Sequence, residues 1–284
     1  LVLVQVLFGL WPVAAASVLR EVEAPAIIGF RTLLATPLMF AFIPGARRPQ
    51  PTSRLLRFAG LGLLGIAANQ LLYVEGLERA GAVNAAILVT IIPISTLVVA
   101  AVLGRERLRT NRVLGVLTAV AGVWTLIGAH RLDIAGDEVV GSLLILGNTT
   151  CYATYLVLAK RVVAEAGALV TVAWVFLFGC LGALPFTLGP VLGTSWLDLS
   201  LATWSGLAFI LAGPTFGTYF LNAYALKRAD SSIVAAFIGL QPLVGGIGAW
   251  VVLGEVATLR EVAAAVLIVG GVAFTASTER RSSG

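Results

Sequence analysis

Residues 73–123 read YVEGLERAGAVNAAILVTIIPISTLVVAAVLGRERLRTNRVLGVLTAVAGV, and residues 222–272 read NAYALKRADSSIVAAFIGLQPLVGGIGAWVVLGEVATLREVAAAVLIVGGV. A shift of 149 residues aligns the two stretches without a gap, and twelve of the fifty-one positions are identical. The identities include distinctive residues, namely Arg79 with Arg228, Pro93 with Pro242, Glu106 with Glu255 and Gly122 with Gly271. A repeat of this length indicates that the chain is duplicated.

Around the repeat, the chain consists of long hydrophobic segments. Of its 284 residues, 59% are hydrophobic and 12% are charged, whereas soluble domains carry about 25% charged residues. A helix needs about 20 apolar residues to cross a bilayer, and ten segments of this kind are predicted at 1–19, 25–43, 58–75, 82–103, 112–128, 140–159, 168–189, 203–224, 232–253 and 261–277. The run Ala14-Ala15-Ala16 resembles a signal-peptide cleavage site, but the repeat requires the first segment as a helix.

The basic residues predict the orientation of these spans. Fourteen Lys and Arg residues lie in or directly beside the even-numbered joints and in the C-terminal tail, against four in the odd-numbered joints, and Arg31 lies inside the second span. By the positive-inside rule, both termini are expected in the cytoplasm, in a multi-pass protein of the inner membrane. The same residues account for the pI of about 9.7, so the lipid bilayer is the expected partner and nucleic acid is not.

The repeat divides the chain into halves, 1–132 and 133–284, with five spans each. Ahead of the main alignment, Trp11 and Arg20 fall on Tyr152 and Arg161 with a shift of 141 residues. Because each half has an odd number of spans, the second copy must insert upside down, and inverted repeats are typical of alternating-access transporters. The predicted fold class is therefore an all-α integral membrane protein with ten transmembrane helices in two inverted-topology five-helix repeats.

The repeated residues resemble a known family. Each half has an Ala-rich segment, a Pro within the next span and a Leu-Gly-Glu-like exit, seen as Leu103-Gly104-Arg105-Glu106 and Leu253-Gly254-Glu255. This pattern resembles the EamA repeat of the drug/metabolite transporter superfamily, and the chain resembles its YddG-like amino-acid exporters. The resemblance implies export of small metabolites, most of all amino acids, including aromatic ones, with efflux of cationic drugs as the alternative on the same fold.

Arg31 is the residue that distinguishes these substrates. It is predicted about two helical turns into the second span from the outer side, where its guanidinium could take the carboxylate of an amino acid in a bidentate manner. An inward-facing Arg31 would repel a cationic drug. The alternative is a structural Arg31 that extends outward to the membrane surface or pairs with a helix end, Glu21 or Glu23.

Polar and aromatic residues form stripes on three other predicted spans. Asn69 and Tyr73 are four residues apart and share a helix face, as do their repeat partners Thr218 and Asn222. A third stripe carries Asn148, Tyr152 and Tyr155, which together with Trp11 are expected to line a central cavity. Inter-helix hydrogen bonding is the alternative for each of these polar residues.

Pro93 and Pro242 are predicted to kink spans four and nine, so Thr90 and Gln241 beside them are candidate substrate contacts. A kink that only aids packing is equally consistent with the sequence.

No Asp or Glu lies at a predicted midplane, where a proton relay would be expected. Glu75, near the outer end of the third span, is the nearest candidate for proton coupling. Exchange or gradient-driven transport is the simpler expectation. Glu106 and Glu255 are interpreted as helix-capping residues.

Other functional classes lack their sequence signatures. There is no HExxH, no Gly-x-Ser-x-Gly and no P-loop in the sequence, which disfavours an intramembrane enzyme and an ATP-driven pump within this chain. The polar stripes are too sparse for the continuous lining of a channel. His130 is alone, and Cys151 and Cys180 lie in predicted spans, so neither a metal, a cofactor nor a disulfide is expected.

Overall fold

A computed structural model describes residues 1–11, 14, 18–89, 91–106, 109–127, 137–241, 243–244 and 259–280. All regular secondary structure in these ranges is helical. The helices are α1 Val2–Gly9, α2 Ala24–Phe42, α3 Thr52–Gly62, α4 Asn69–Val89, α5 Ile92–Val102, α6 Thr110–Ile127, α7 Asp137–Ala166, α8 Ala168–Gly193, α9 Leu201–Ile210, α10 Thr218–Leu226, α11 Ser231–Ala236 and α12 Leu259–Arg280.

Within the described ranges, four helical runs are long and apolar enough to cross a membrane: Ala24–Phe42, Thr52–Ala80, Val139–Ala166 and Ala168–Gly193. Shorter apolar helices occur at Ile92–Val102, Ser231–Leu240 and Val262–Thr275. The predicted all-helical class is thus confirmed. The count of ten spans and the boundary between residues 132 and 133 stay predictions, since 12–13, 128–136 and 245–258 lie outside the described residues.

The joint predicted at 76–81 is wrong, because α4 continues through it to Val89. Glu75 and Arg79 form an i,i+4 ion pair of 2.5 Å on this helix, so charges that suggested a loop are accommodated on a helix surface. Pro93 is the second residue of α5, a position at which a proline is tolerated because it removes no hydrogen bond of the helix interior. The kink predicted at Pro93 stays a prediction, since residue 90 before this helix lies outside the described residues.

Two π-helical segments interrupt helices at repeat-equivalent positions. Leu63–Ala68 joins α3 to α4, and Leu211–Gly217 joins α9 to α10. The shift of 149 residues carries the first of these segments onto 212–217. Because π-helical turns are rare and occur mainly at functional sites, their pairing marks this level of both halves as the place to look for a site.

Helices that the repeat makes equivalent pack against each other in opposite directions. Along α2 and α8, Phe40 contacts Trp174 at one end, with ring centroids 5.2 Å apart, while Gly29 approaches Val191 at the other. The residue numbers therefore rise on one helix as they fall on the other. Helices α6 and α12 are antiparallel by the same reasoning, since Gly115 approaches Thr275 and Gly122 approaches Ile268. Antiparallel equivalent helices are the geometry that an inverted repeat requires.

Two glycines with left-handed backbones end helices at sharp corners. Gly167, with φ of 85°, is the single residue between α7 and α8. Gly104, with φ of 62°, closes α5: its N–H donates to the Ala101 carbonyl at 2.9 Å, and the N–H of Arg105 donates to the Ala100 carbonyl at 2.8 Å. These two hydrogen bonds form a Schellman motif. The Leu103-Gly104 pair of the repeat motif therefore terminates helix α5.

Candidate functional site

Arg31 lies inside the helical bundle with only 6% of its surface exposed. Its Nε donates to the Thr215 hydroxyl at 2.8 Å, and its Nη1 donates to the Gln70 side-chain oxygen at 3.3 Å. The guanidinium carbon lies 4.8 Å from the centre of the Trp11 ring, which is a cation–π distance. The side chain therefore faces inward, and Glu21 and Glu23 are not among its partners.

Both π-helical segments contribute a hydrogen-bonding group to this level of the bundle. In the first segment, the Gly65 carbonyl accepts a hydrogen bond from the Tyr219 hydroxyl at 3.2 Å. In the second, Thr215 accepts from Arg31 and donates to the Ile210 carbonyl at 2.8 Å. Only glycine fits at position 65, because an added Cβ would lie 2.4 Å from the Tyr155 ring.

The stripe on α7 completes the polar cluster. Asn148 donates to the backbone carbonyl of Asn69 at 2.6 Å, so the predicted Asn69 contributes its main chain to this contact. Tyr152 and Tyr155 stack with ring centroids 5.8 Å apart. Asn222 donates to the Tyr152 hydroxyl at 3.3 Å, and its own side-chain oxygen is buried without a partner among the described residues.

The remaining predicted contacts are arranged differently. Thr218 is buried, and its hydroxyl donates to the Pro214 carbonyl of its own helix at 2.5 Å. Gln241 donates to the side chain of buried Gln5 at 2.8 Å, which ties α1 to the segment after α11. Tyr73 is half-buried on α4. Thr90 and Pro242 lie outside the described residues.

Glu75 lies outside this cluster. Its carboxylate is half exposed and pairs with Arg79 at 2.5 Å. A proton carrier at the binding site would face the cavity, so this position gives no support to proton coupling through Glu75.

Three residues of the cluster were missed by the sequence reasoning: Gln70, Thr215 and Tyr219. Gln70 follows Asn69 directly in the sequence. Thr215 and Tyr219 flank Thr218 on the same helical run, beside the Gly213-Pro214 pair that signals a disturbed helix. That proline was the available signal, but the contact of Thr215 with Arg31 spans 184 residues and has no local pattern.

A buried ion network joins the two halves at a second place. Arg112, at the start of α6, bonds Glu106 at 3.0 Å and Asp230 at 2.5 Å. Lys160, near the end of α7, also pairs with Asp230. The side chains of Arg112 and Glu106 are only 6% and 5% exposed. Burial raises the pKa of Asp230, but the hydrogen bonds and charges of Lys160 and Arg112 outweigh it, so that pKa lies below its usual range.

Glu106 in this network caps a helix of the other half. Its carboxylate accepts from the Ser231 hydroxyl at 2.5 Å and the Ser232 N–H at 3.3 Å, at the first turn of α11. A carboxylate is favourable there because the turn leaves N–H groups unpaired. The capping interpretation of Glu106 agrees with this geometry, although the capped helix belongs to the second half. Glu255 lies outside the described residues.

The network is not duplicated by the repeat. Shifted by 149 residues, Arg112 corresponds to Glu261, and Asp230 corresponds to Gly81. The second half therefore does not carry the residues for the same set of ion pairs, and the described network lies on one face of the bundle. All four ionic residues come from joints or span ends on the predicted cytoplasmic side.

A surface pocket of about 680 Å³ opens at the opposite end of the bundle. Glu21, Glu23, Pro190 and Asp198 line it. Glu21 accepts hydrogen bonds from the Ser200 hydroxyl at 2.7 Å and from its N–H at 2.9 Å, and these bonds lower the pKa of its carboxyl. The pocket does not contain Arg31 or its partners.

Comparison with known proteins identifies a matching family, sequence relatives and a solved structure. The model of the EamA-like transporter family matches residues 1–128 and again residues 139–277. The chain is 26% identical over 246 residues to the transporter YyaM of Bacillus subtilis (strain 168), across 84% of this chain and 79% of that protein. It is 28% identical over 272 residues to the threonine/homoserine exporter RhtA of Salmonella typhimurium (strain SL1344), across 94% and 86%. A solved crystal structure shares the fold, with a TM-score of 0.81 at 21% identity over 99% of this chain and 96% of that one.

Proposed function

This chain belongs to the EamA-like transporter family, and on that premise we propose that it exports α-amino acids whose carboxylate is held by Arg31. Its broader role, transport of small molecules across a membrane, is that of its named relatives, and an intramembrane enzyme is excluded. The observation that carries the proposal is the burial of Arg31 without a carboxylate partner among the described residues.

A buried guanidinium is costly unless its charge is compensated. Thr215 and Gln70 supply neutral acceptors, and Trp11 supplies the face of its ring, but none of these carries negative charge. An incoming carboxylate would complete the site through charge-assisted hydrogen bonds, for which the planar guanidinium is well shaped.

The alternative of cationic drug efflux is disfavoured by the same residue. A cation in the cluster would meet the positive charge of Arg31 at short range and in surroundings of low dielectric constant, where repulsion is strong. The name of the RhtA relative, a threonine/homoserine exporter, supports amino acids as the substrate class.

We propose that transport proceeds by alternating access between the halves 1–132 and 133–284, in the inner membrane with both termini in the cytoplasm. The antiparallel packing of equivalent helices supports rocking of one half against the other. Opening towards the cytoplasm would separate Arg112 from Asp230, so this network would close that side of the transporter. Exchange or gradient-driven transport needs no further charged residue.

Flux into proteoliposomes tests the proposal. Purified protein is reconstituted and presented with a panel of labelled amino acids and one labelled organic cation, using wild type, Arg31→Ala and Arg20→Ala, which alters an exposed arginine. We expect amino-acid flux in wild type and Arg20→Ala, and its loss in Arg31→Ala. Accumulation of the cation with no amino-acid flux would refute the proposal.

A further inference from the structure

Asn222 offers a second polar contact that the carboxylate site leaves unused. Its side chain is 6% exposed, and its Nδ2 donates to the Tyr152 hydroxyl at 3.3 Å. The side-chain oxygen is inaccessible to solvent and has no hydrogen-bond partner among the described residues. Buried carbonyl oxygens are nearly always bonded, so this acceptor is available for a donor that arrives with the substrate.

The acceptor lies at a fixed separation from Arg31. Thr215, which binds Arg31, and Asn222 are seven residues apart on one helical run, with Tyr219 between them in the sequence. Seven residues correspond to a rise of about 10 Å along the axis. A ligand anchored at Arg31 would therefore reach Asn222 with its far end and not with its α-amino group.

The residues around Asn222 restrict which kind of amino-acid side chain can end there. Tyr152 and Tyr155 form a stacked aromatic wall beside Asn222, and the structure describes no carboxylate partner for the cluster that would balance a second positive charge. The repeat partner of Asn222 is Tyr73, so the first half does not provide an equivalent amide. The site therefore has a charged group, Arg31, at one end and a neutral amide, Asn222, at the other.

Resting on the proposed function, we propose that Asn222 is a specificity-determining residue that selects amino acids whose side chain ends in a neutral hydrogen-bond donor. Arg31 holds the carboxylate, and Asn222 accepts from a side-chain amide or hydroxyl two helical turns away. Apolar amino acids of the same length would bind at Arg31 but leave the Asn222 oxygen unpaired, which is the basis of discrimination.

Matched substrate pairs test this inference in proteoliposomes. Labelled glutamine is compared with methionine, and labelled tyrosine with phenylalanine, because each pair is similar in size and differs in the terminal donor. In wild type we expect the donor-bearing member to be transported with a kcat/KM about tenfold higher in at least one pair. Asn222→Leu should reduce that ratio to near one while methionine or phenylalanine flux persists, which shows that the variant folds.

A control variant separates the outcomes. Asn111→Leu, an exposed change on α6, should behave as wild type. Equal transport within both pairs by wild type, or an unchanged ratio in Asn222→Leu, would overturn the inference and leave amino-acid export intact. Absence of flux for every amino acid would instead reject the proposed function on which it rests.

Discussion

Gly122 packs directly on the main chain of Ile268: a Cβ at Gly122 would lie 2.8 Å from the Ile268 nitrogen. The repeat image of this contact is also present, because a Cβ at Gly271 would lie 2.5 Å from the nitrogen of Ala119. The shift of 149 residues carries Gly122 onto Gly271 and Ala119 onto Ile268. The identities Gly122 and Gly271 in the sequence thus reflect one close helix crossing used twice, as small residues permit between membrane helices.

We expect Gly122→Ala and Gly271→Ala to destabilise the protein by similar amounts, about 1–3 kcal/mol each, because the added methyl meets main-chain atoms that cannot move aside. Gly270→Ala is the matched control, since a Cβ there meets nothing within 4 Å. Thermal unfolding of the detergent-purified variants measures this. A Gly270→Ala variant as unstable as Gly271→Ala would contradict the packing explanation.

Removal of Arg112 should be much more harmful than removal of an exposed arginine. Arg112→Met leaves Glu106 buried and uncompensated, and such losses cost about 3–5 kcal/mol. Arg57→Met breaks a 2.6 Å pair whose arginine is 40% exposed, and should cost less than about 1 kcal/mol. Unfolding of both variants in the same detergent provides the comparison, and equal losses would argue against a buried network.

The pH dependence of stability should contain a contribution from Asp230. The pKa of this carboxyl is lowered in the folded protein, so its stabilising effect is complete above the ordinary value of about 3.9. The effect is lost as the pH falls through the lowered pKa. Asp230→Asn should remove this acid-sensitive part of the unfolding curve, whereas Asp198→Asn, at an exposed position, should retain it. The melting temperature measured from about pH 3 to pH 7 tests both.

The topology can be checked with single cysteines at two exposed positions. Ser53 lies in a predicted cytoplasmic joint and Ser195 in a predicted outer joint, and both side chains are exposed. After replacement of Cys151 and Cys180, a membrane-impermeant maleimide added to intact cells should label Ser195→Cys and not Ser53→Cys. The reverse labelling would show that the fourteen-to-four distribution of basic residues does not determine the orientation.

Sequence patterns predicted the features that depend on the order of residues along the chain. Hydropathy located the apolar helices, and the repeat predicted that Gly122 and Gly271 are equivalent. Hydropathy failed at Glu75 and Arg79, because it cannot distinguish a polar loop from a helix whose charges pair at i,i+4. It also could not reveal that Arg31 meets Thr215 or that Glu106 caps the helix at Ser231, since these contacts depend on packing between distant segments.

Selection for the carboxylate tests the central claim most directly. In wild-type proteoliposomes, counterflow of a transported labelled amino acid is competed with the same amino acid unlabelled and with its α-carboxamide. We expect the carboxylate form to compete about a hundredfold better, and Arg31→Gln to abolish that preference while the carboxamide competes as before. If Arg31→Gln retained the hundredfold preference, the carboxylate would be held elsewhere and the account of this site would be wrong.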